Sequence, residues 1–291
     1  MAGKNVQGVV LTILSAVLWG LNPLFARTVY AGGGNAATLA FFRMFLGTGF
    51  MALVHLGLTR TGLGVTRAEL KKLILCSVGY AATPVLLLSS YNYLPSGLCT
   101  TIHFVYPVLV IAGTILFCHE KVSRWKLLCC GLCAAGIVCF YTPGGEISAF
   151  GIGIAFVSGV TYAFYIVYIS ASGLLELPVY KVTAYLNLIS AVLIGAFTAL
   201  THQAALPTTP VSIGVLLCFA LVAAFASAAF QLGTKYVGPQ SSSLLSTFEP
   251  LTSVVVGFLV YRESLTFRSV LGIVCILLSV ILLSLLEHKA E

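Results

Sequence analysis

One carboxylate stands inside a stretch that is otherwise apolar enough to cross a membrane. In "STFEPLTSVVVGFLVYRES", Glu249 directly precedes Pro250, and the next acidic residue is Glu263 at the far end of the run. At about 1.5 Å of helix rise per residue, Glu249 lies about 21 Å from Glu263, near the middle of a bilayer. A charged carboxylate facing lipid there is costly. Glu249 is therefore either a solute- or proton-binding group in a cavity, or a carboxyl whose hydrogen bond fixes helix packing.

The same pattern occurs 143 residues earlier in "HFVYPVLVIAGTILFCHEK". This offset aligns Pro107 with Pro250 and Glu120 with Glu263, but it aligns Tyr106 with Glu249. Tyr106 thus offers a hydroxyl and an aromatic face at the depth of the carboxylate. The two glutamates at the helix ends are interpreted as interfacial structural groups near cationic neighbours.

Each of these prolines lacks a backbone N–H, which leaves the carbonyl four residues earlier without its usual helical partner. Those carbonyls belong to His103 and Ser246. A kinked or locally opened helix near the midplane exposes such groups to a cavity, which is a common way to build a transporter site. A plain kink that shapes packing is the alternative.

Two further polar residues lie within apolar runs. His103 comes one turn before Tyr106, and its imidazole could titrate or contact an anionic solute, or it could be a satisfied structural donor. Arg43 is the one basic residue well inside a predicted helix, and its guanidinium does not deprotonate. It needs Glu249, a substrate carboxylate, or access to the membrane surface by snorkelling.

Aromatic residues suggest the walls of a binding site. Three tyrosines recur every third residue on the predicted sixth helix: Tyr162, Tyr165 and Tyr168. They could receive an apolar or cationic side chain, or they could be ordinary core packing. Trp19, which the offset aligns with Tyr162, and Asn22 before Pro23 make the first helix a second candidate wall.

The composition requires a membrane protein. Of 291 residues, 59% are hydrophobic and 8% are charged, against roughly 25% charged in a soluble domain. A membrane-spanning helix needs about 20 mostly apolar residues, and the chain contains ten such segments. They cover approximately 7–30, 36–58, 70–93, 96–118, 124–141, 148–172, 180–200, 211–236, 240–261 and 265–287.

The net charge of +7 reports orientation, and it does not indicate a nucleic-acid partner. Eleven of the fifteen Lys and Arg residues belong to one set of predicted loops, and three belong to the other set. By the positive-inside bias, the richer set faces the cytoplasm. The sequence therefore predicts a multi-pass plasma-membrane protein with both termini in the cytoplasm.

Several function classes find no support in the sequence. The nine cysteines lie in or at the ends of predicted helices, and "CCGLC" lacks a His or carboxylate at metal-ligand spacing. The chain has no phosphate-binding P-loop and no aspartate, which excludes paired aspartates for intramembrane proteolysis. We expect no metal, no cofactor and no catalytic residue.

The 143-residue offset indicates an internal repeat of five helices. "SAVLWG" aligns with "SGVTYA", and the repeats are predicted to occupy residues 1–145 and 146–291. Because five is odd, the second repeat enters the membrane from the opposite side. The predicted fold is an all-α polytopic membrane protein, with ten transmembrane helices as two inverted five-helix repeats. Such symmetry suits alternating access to a site near the midplane.

At these motifs the chain resembles a known family. "WGLNPLFAR", "LAFFRMFLG" and "FEPLTSVVVGFLVYRESLTFRSVLGIVCILLSVILL" are similar to the EamA-type ten-helix exporters of the drug/metabolite transporter superfamily. The resemblance covers essentially the whole chain. It implies a transporter that moves small organic solutes, often amino acids or related metabolites outward, through a cavity between the two halves.

We therefore expect a secondary transporter of a small organic solute in the lipid bilayer, with amino acids or aromatic, amphipathic compounds as the leading class. Proton coupling is a hypothesis that rests on Glu249. An uptake carrier or exchanger for nucleosides, sugars or vitamins is the alternative within this class. A membrane-embedded lipid-modifying enzyme and a structural partner subunit are the alternatives outside it.

Overall fold

The structure is a computed structural model in which every regular element of the described residues is helical. It describes residues 2–59, 61–118, 148–238, 241–242, 245–246, 248–263 and 266–287, and isolated positions between 124 and 139. The all-α polytopic fold class is confirmed. The predicted boundary between the repeats at residue 145, the predicted fifth helix and Glu120 lie mostly or wholly outside the described residues.

The structure describes eleven α-helices, and the 3-10 turn Leu174–Glu176 precedes α8. Their bounds are α1 Ala2–Gly20, α2 Asn22–Ala31, α3 Ala36–Thr59, α4 Arg67–Ser90, α5 Ser96–His103, α6 Tyr106–Cys118, α7 Ala149–Ala171, α8 Val179–Leu200, α9 Pro210–Val237, α10 Phe248–Tyr261 and α11 Phe267–Glu287.

Within the described ranges, seven helical segments are long and apolar enough to cross a membrane. They match seven of the ten predicted spans closely, with bounds of Asn5–Ala31, Ala36–Thr59, Arg67–Ser90, Ser96–Gly113, Ala149–Ala171, Val179–Leu200 and Pro210–Val237. The predicted ninth and tenth spans contain the shorter apolar helices Phe248–Tyr261 and Val270–Ser279.

The bundle is apolar outside and partly polar inside. Large apolar side chains point outward, such as Leu200 at 82% exposure and Leu53 at 71%. Small hydroxyl side chains are buried between helices, where they donate to a carbonyl one turn back, as Thr183 does to Val179 at 2.8 Å. Lipid offers no hydrogen-bond partner, so polar groups face the protein interior and bond there.

One end of the bundle, here called the Lys181 end, joins the two halves through their loops. The ammonium group of Lys181 donates to the carbonyl of Gly64. Lys72 Nζ donates to the Ser172 carbonyl at 2.7 Å, and the Tyr185 hydroxyl donates to the Leu63 carbonyl at 2.9 Å. The loops before α4 and before α8 therefore lie side by side.

The opposite end, here called the Glu263 end, is tied together by other loops. The N–H of Thr208 donates to the Gly32 carbonyl at 2.9 Å, and Ser212 Oγ donates to the Thr28 carbonyl at 2.9 Å. Glu263 accepts hydrogen bonds from Ser96 at the start of α5. Both ends of the bundle are thus closed by contacts between the two halves of the chain.

The directions of corresponding helices show the inversion. The 143-residue offset aligns α3 with α8, yet α3 runs from the Glu263 end to the Lys181 end and α8 runs the opposite way. The same holds for α4 and α9: α4 begins at the Lys181 end, and α9 begins at the Glu263 end. Equivalent positions of the two halves therefore face opposite membrane surfaces.

Glycines allow two halves of the chain to approach closely along α7. A Cβ atom added at Gly159 would lie 2.7 Å from the carbonyl oxygen of His103, and one added at Gly79 would lie 2.7 Å from that of Thr161. Both obstacles are backbone atoms, which cannot rotate away. Gly153, also on α7, is exposed and would meet nothing within 4 Å.

We predict that Gly159→Ala lowers the thermal midpoint of the purified protein, because the new methyl group separates α7 from the end of α5. Overpacking of this kind typically costs 1–3 kcal/mol. The matched control is Gly153→Ala on the same helix, which should leave the midpoint unchanged or raise it slightly, since alanine favours the helix. Equal losses in the two variants would contradict the predicted close approach.

Candidate functional site

A buried polar cavity of about 30 Å³ lies between the two halves of the bundle. It is lined mainly by the first half of the chain, with Tyr162 and Glu249 from the second half. The complete lining is Trp19, Asn22, Arg43, Thr83, Pro84, Leu87, His103, Tyr162 and Glu249. A volume of this size holds about two water molecules. We call it the central cavity.

Three breaks in the membrane-spanning helices lie near the side chains that line the central cavity. The first membrane span is interrupted at Leu21, directly before Asn22 and Pro23 begin α2. The chain turns at 104–105 between α5 and α6, so Pro107 is the second residue of a helix. Pro250 is likewise the third residue of α10. Each proline stands in a first helical turn, where a missing N–H costs no helical hydrogen bond.

The two carbonyls that the prolines were expected to free have different surroundings. The N–H of Glu249 donates to the Ser246 carbonyl at 2.8 Å. The His103 carbonyl packs against the backbone of Gly159. Of these two residues, His103 lines the central cavity and Ser246 does not.

Arg43 and Glu249 carry opposite charges into the central cavity, at 8% and 2% exposure. Both residues are described, and their charged atoms do not form an ion pair within 4.0 Å. The Oε2 atom of Glu249 is buried without a hydrogen-bond partner. The direct Arg43–Glu249 pair considered from the sequence is therefore not formed, although the two side chains share one cavity.

Contacts between α1 and α10 position Glu249. A Cβ at Gly20 would lie 2.7 Å from the carbonyl oxygen of Glu249, so the two backbones touch. Ser253 Oγ also donates to the Gly20 carbonyl at 3.0 Å. Because Gly20 lies between Trp19 and Asn22, this contact places the carboxylate beside both of their side chains.

Trp19 and Asn22 present unsatisfied polar atoms to this region. Trp19 Nε1 and Asn22 Oδ1 are buried without partners. The Trp19 ring packs edge-on against Tyr162, with centroids 5.7 Å apart, and against Phe230 at 5.5 Å. The predicted aromatic walls on the first and sixth spans are thus in contact with each other.

His103 is held by a hydrogen bond that fixes the role of one ring nitrogen. Its Nδ1 lies 2.8 Å from Ser158 Oγ, and that hydroxyl donates its own hydrogen to the Ala155 carbonyl at 2.6 Å. Ser158 must then accept from His103 Nδ1–H. In the neutral imidazole this leaves Nε2 as an acceptor. His103 is therefore both a packing residue and part of the cavity lining.

Three predicted site residues lie next to the central cavity and do not line it. Tyr106 is fully buried, with its ring 4.6 Å from that of Tyr162 and its hydroxyl unpartnered. Tyr165 stacks on Tyr162 at 5.6 Å. Ser246 Oγ donates to the Ser242 carbonyl at 2.9 Å. These side chains support the cavity wall from behind.

Tyr168 and the lipid-facing grooves lie apart from the central cavity. Tyr168 borders an apolar groove of about 520 Å³ with Leu109 and Val167, and a second apolar groove of about 380 Å³ lies beside Val78 and Phe197. Both are larger than the central cavity but lack charged lining. They fit acyl chains of the bilayer better than a polar solute.

Sequence reasoning missed Thr83, Pro84 and Leu87 in the lining. Thr83 Oγ1 donates to the Gly79 carbonyl at 2.8 Å and lies 2.9 Å from Thr161 Oγ1. The available signal was the proline at position 84 in the interior of α4, since an internal proline disturbs a helix.

The Glu263 carboxylate forms the strongest polar contact between the ends of three elements. It pairs with Arg27 of α2, and its Oε1 accepts from Ser96 N and Oγ at 3.1 and 2.8 Å. The Arg27 guanidinium also lies over the Tyr261 ring, 4.3 Å from its centroid. Arg262, with φ of 52°, turns the chain so that Glu263 N–H donates to the Gly257 carbonyl at 3.1 Å.

The fold and the cavity together define a multi-pass helical membrane protein with a buried polar site between two repeats, which is the architecture of a membrane transporter. The model of the EamA-like transporter family matches residues 6–142 and again residues 149–285. The chain belongs to the EamA-like transporter family.

Related proteins agree with this assignment. A protein of Archaeoglobus fulgidus named as an uncharacterized transporter is 28% identical, over 93% of each chain. One of Synechocystis sp. with the same description is 23% identical, over 98% of this chain and 95% of its own. A crystal structure with 15% identity superimposes with a TM-score of 0.74, over 97% of this chain and 98% of that chain. That likeness shows the shared fold.

We predict that Glu263→Gln loosens the Glu263 end, because the charge that ties Arg27 to the start of α5 is removed. The readout is the reaction of N-ethylmaleimide with Cys99, a fully buried thiol on α5, in a variant that retains this single cysteine. We expect a rate about ten-fold higher, equivalent to about 1.4 kcal/mol.

Three further variants make this test specific. Arg27→Gln should have a similar effect, and the double variant should add little, because both changes break one interaction. Arg268→Gln, an exposed residue at the same end, is the matched control and should leave the rate unchanged. A rate insensitive to Glu263→Gln would show that this contact does not hold the end closed.

Proposed function

We propose that the protein is a secondary transporter, without enzymatic activity, that moves amino acids or related amphipathic metabolites by alternating access. The observation that carries this proposal is the central cavity, where Arg43 and Glu249 are both buried and do not neutralise each other. Charges in a membrane interior are costly and usually mark a functional site. A solute with both charges would compensate both residues at once.

The chemistry of the lining favours a zwitterion with an apolar side chain. A guanidinium binds a carboxylate strongly, often through two parallel hydrogen bonds. Glu249 would accept hydrogen bonds from an ammonium group, for which its unpartnered Oε2 is available. Trp19 and Tyr162 supply aromatic surface for the remainder of the solute. Asn22 and His103 add neutral hydrogen-bonding groups that could select among side chains.

Alternating access is supported by the size of the cavity and by the closure of both ends. A volume of about 30 Å³ is too small for an amino acid, and contacts between the two halves close the bundle at the Lys181 end and the Glu263 end. Binding therefore requires the halves to separate at one end. The breaks before α2, α6 and α10 divide helices near the cavity and provide places where segments can move independently.

Orientation and direction belong to the same proposal. The lysine-rich loops favour the Lys181 end as the cytoplasmic one, and with it cytoplasmic termini in the plasma membrane. Outward transport is supported by the similarity of the motifs to EamA-type exporters. The gradients that drive the solute set the direction of net movement.

The first test is the thermal stability of the purified protein with L-amino acids, nucleosides, sugars and lipophilic cations. A ligand that binds only the native state raises the midpoint by mass action. We expect L-phenylalanine to stabilise the protein more than N-acetyl-L-phenylalanine, which lacks the ammonium group, and more than L-phenylalanine amide, which lacks the carboxylate.

Substitution of Glu249 and of Arg43 should show which charged group of the solute each residue recognises. Glu249→Gln should remove the discrimination against the N-acetyl compound, and Arg43→Gln should remove the discrimination against the amide. Tyr106→Phe removes a buried hydroxyl that has no partner and does not line the cavity, so it should leave the binding of all three compounds nearly unchanged. Stabilisation by sugars or nucleosides alone would overturn the amino-acid class. Discrimination that survives both charge variants would move the binding site away from the central cavity.

We further predict that transport depends on a pH gradient through Glu249. A carboxylate in the central cavity can be neutralised by a substrate ammonium or by a proton, so the two would compete for one group. In proteoliposomes, an imposed pH gradient should change the uptake rate of radiolabelled L-phenylalanine several-fold. Glu249→Gln should abolish this dependence, because glutamine does not bind a proton in this range.

Glu69→Gln is the matched control for this prediction. Glu69 lies at the start of α4, where its carboxylate accepts from Thr66 N at 2.6 Å, and it does not line the central cavity. That variant should keep the dependence on the gradient. If the Glu249→Gln protein keeps it as well, the proton-coupling hypothesis is wrong, while transport itself stands.

A further inference from the structure

A second group of buried polar side chains lies next to the central cavity and is not part of its lining. It involves α4, α8 and α9, of which α4 and α9 both pack against α8. Each member is at most 3% exposed. We call this group the polar layer, and it consists of Tyr80, Thr183, Asn187, Ser190, Ser227 and Gln231.

The polar layer lies about one helical turn nearer to the Lys181 end than the central cavity. On α4, which starts at the Lys181 end, Tyr80 precedes the cavity residue Thr83 by three positions. Aromatic contacts connect the two regions, since Tyr80 packs on Tyr165 at 5.0 Å and Tyr165 packs on Tyr162 at 5.6 Å. Tyr80 also lies within electrostatic range of Arg43.

Two hydrogen bonds orient the amide groups of the polar layer. The Tyr80 hydroxyl donates to Asn187 Oδ1 at 3.3 Å, and the Thr183 hydroxyl shares its one hydrogen between Gln231 Oε1 at 2.9 Å and the Val179 carbonyl at 2.8 Å. Both amide oxygens are thereby occupied. The amide nitrogens, Asn187 Nδ2 and Gln231 Nε2, are buried without acceptors.

Two hydroxyl groups of the layer are unpaired as well. Ser190 Oγ and Ser227 Oγ are buried and have no hydrogen-bond partner. A buried polar group left without a partner destabilises the folded protein. All four atoms can donate, and the acceptors that the described residues bring beside them are tyrosine hydroxyls, Tyr80 next to Ser227 and Tyr165 next to Gln231, which make no hydrogen bond of good geometry to them.

Buried hydroxyl groups near the Glu263 end have hydrogen-bond partners, unlike those of the polar layer. Near the Glu263 end, the buried hydroxyls of Ser90, Thr100 and Thr101 donate to carbonyls at 2.6–3.0 Å. Among the described residues, every buried side-chain atom without a partner lies at or beside the central cavity or in the half toward the Lys181 end. The polar path therefore continues from the central cavity in one direction only.

We propose that the polar layer is a second binding site, which takes the carboxylate group of a solute between the central cavity and the Lys181 end. This inference rests on the proposed transport function, because it places the site on the same path. The amide nitrogens and hydroxyls donate to the carboxylate, and Arg43 attracts it onward. The backbone of Gly47 packs closely against Asn187, since a Cβ atom added at Gly47 would lie 2.9 Å from Asn187 Nδ2. This close contact limits the space for a solute in the closed structure.

The native thiol of Cys76 can report on entry to this site. Cys76 is fully buried on α4, one turn from Tyr80 toward the Lys181 end, and lies within electrostatic range of Tyr80 and Tyr165.

The experiment uses the full chain with Cys76 as its single cysteine, in inside-out and right-side-out membrane vesicles. The probes are sulfonatoethyl and trimethylammonioethyl methanethiosulfonate, which do not cross membranes. The Cys76 thiolate attacks the sulfenyl sulfur, a disulfide forms, and methanesulfinate leaves.

We expect Cys76 to react at least about ten-fold faster from the Lys181 end than from the Glu263 end. Asn187→Leu and Gln231→Met should lower the rate of the anionic reagent several-fold, relative to the parent, and leave that of the cationic reagent unchanged. If either substitution prevents folding, Ser190→Ala and Ser227→Ala together remove donors with little change in volume. The control is a chain in which Cys99 is the single cysteine. Its rate of reaction with either reagent should not change when the polar-layer residues are substituted.

Each outcome bears on the proposal. Absence of reaction from both sides, or equal losses for both reagents, would overturn a carboxylate site in the polar layer. Loss of anion preference in the variants, together with slower labelling of Cys76 in the presence of L-phenylalanine, would support it. If L-phenylalanine neither binds nor protects but the anion preference is present and lost in the variants, the amino-acid proposal fails while the second site stands.

Discussion

The requirement that Arg43 and Glu249 both avoid lipid, without pairing with each other, explains much of the architecture. A membrane interior offers no water to either charge, so each must face protein or a cavity. Close contact of α1 with α10 at Gly20 places Glu249 beside Trp19, and α3 brings Arg43 to the same cavity. Under the proposed function, two charges held apart in one site suit a solute that carries the complementary pair, whereas a direct ion pair would serve packing alone.

The helix breaks reconcile this site with a continuous bundle. Pro23, Pro107 and Pro250 each lie in the first turn of a helix. The helices are therefore interrupted at three places near the cavity, and few backbone hydrogen bonds are lost. The backbone groups at those interruptions are used in packing, as the contact of the His103 carbonyl with Gly159 shows. Side chains are then free to define selectivity, and the segments on either side of each break are free to define access.

The sequence predicted the elements better than it predicted the lining of the site. Long apolar runs identify spans because lipid permits little else, and a lone charge such as Glu249 or Arg43 is conspicuous within them. Which side of a helix meets the cavity depends on packing, and for this reason Tyr106 and Tyr165 fall behind the wall while Thr83 enters it. The polar layer left no signal, because serine, threonine and asparagine are common where membrane helices simply pack together.

The repeat explains where the two halves meet and why the site is asymmetric. Residues related by a twofold axis touch each other only beside that axis. Trp19 packs against its counterpart Tyr162, with ring centroids 5.7 Å apart. The central cavity therefore borders the axis, where one substitution in either repeat changes the site most. At Trp19 and Tyr106 one half supplies an indole and a phenol, and at Tyr162 and Glu249 the other half supplies a phenol and a carboxylate. The two halves therefore share one inverted architecture, while the site between them carries a single arrangement of charge.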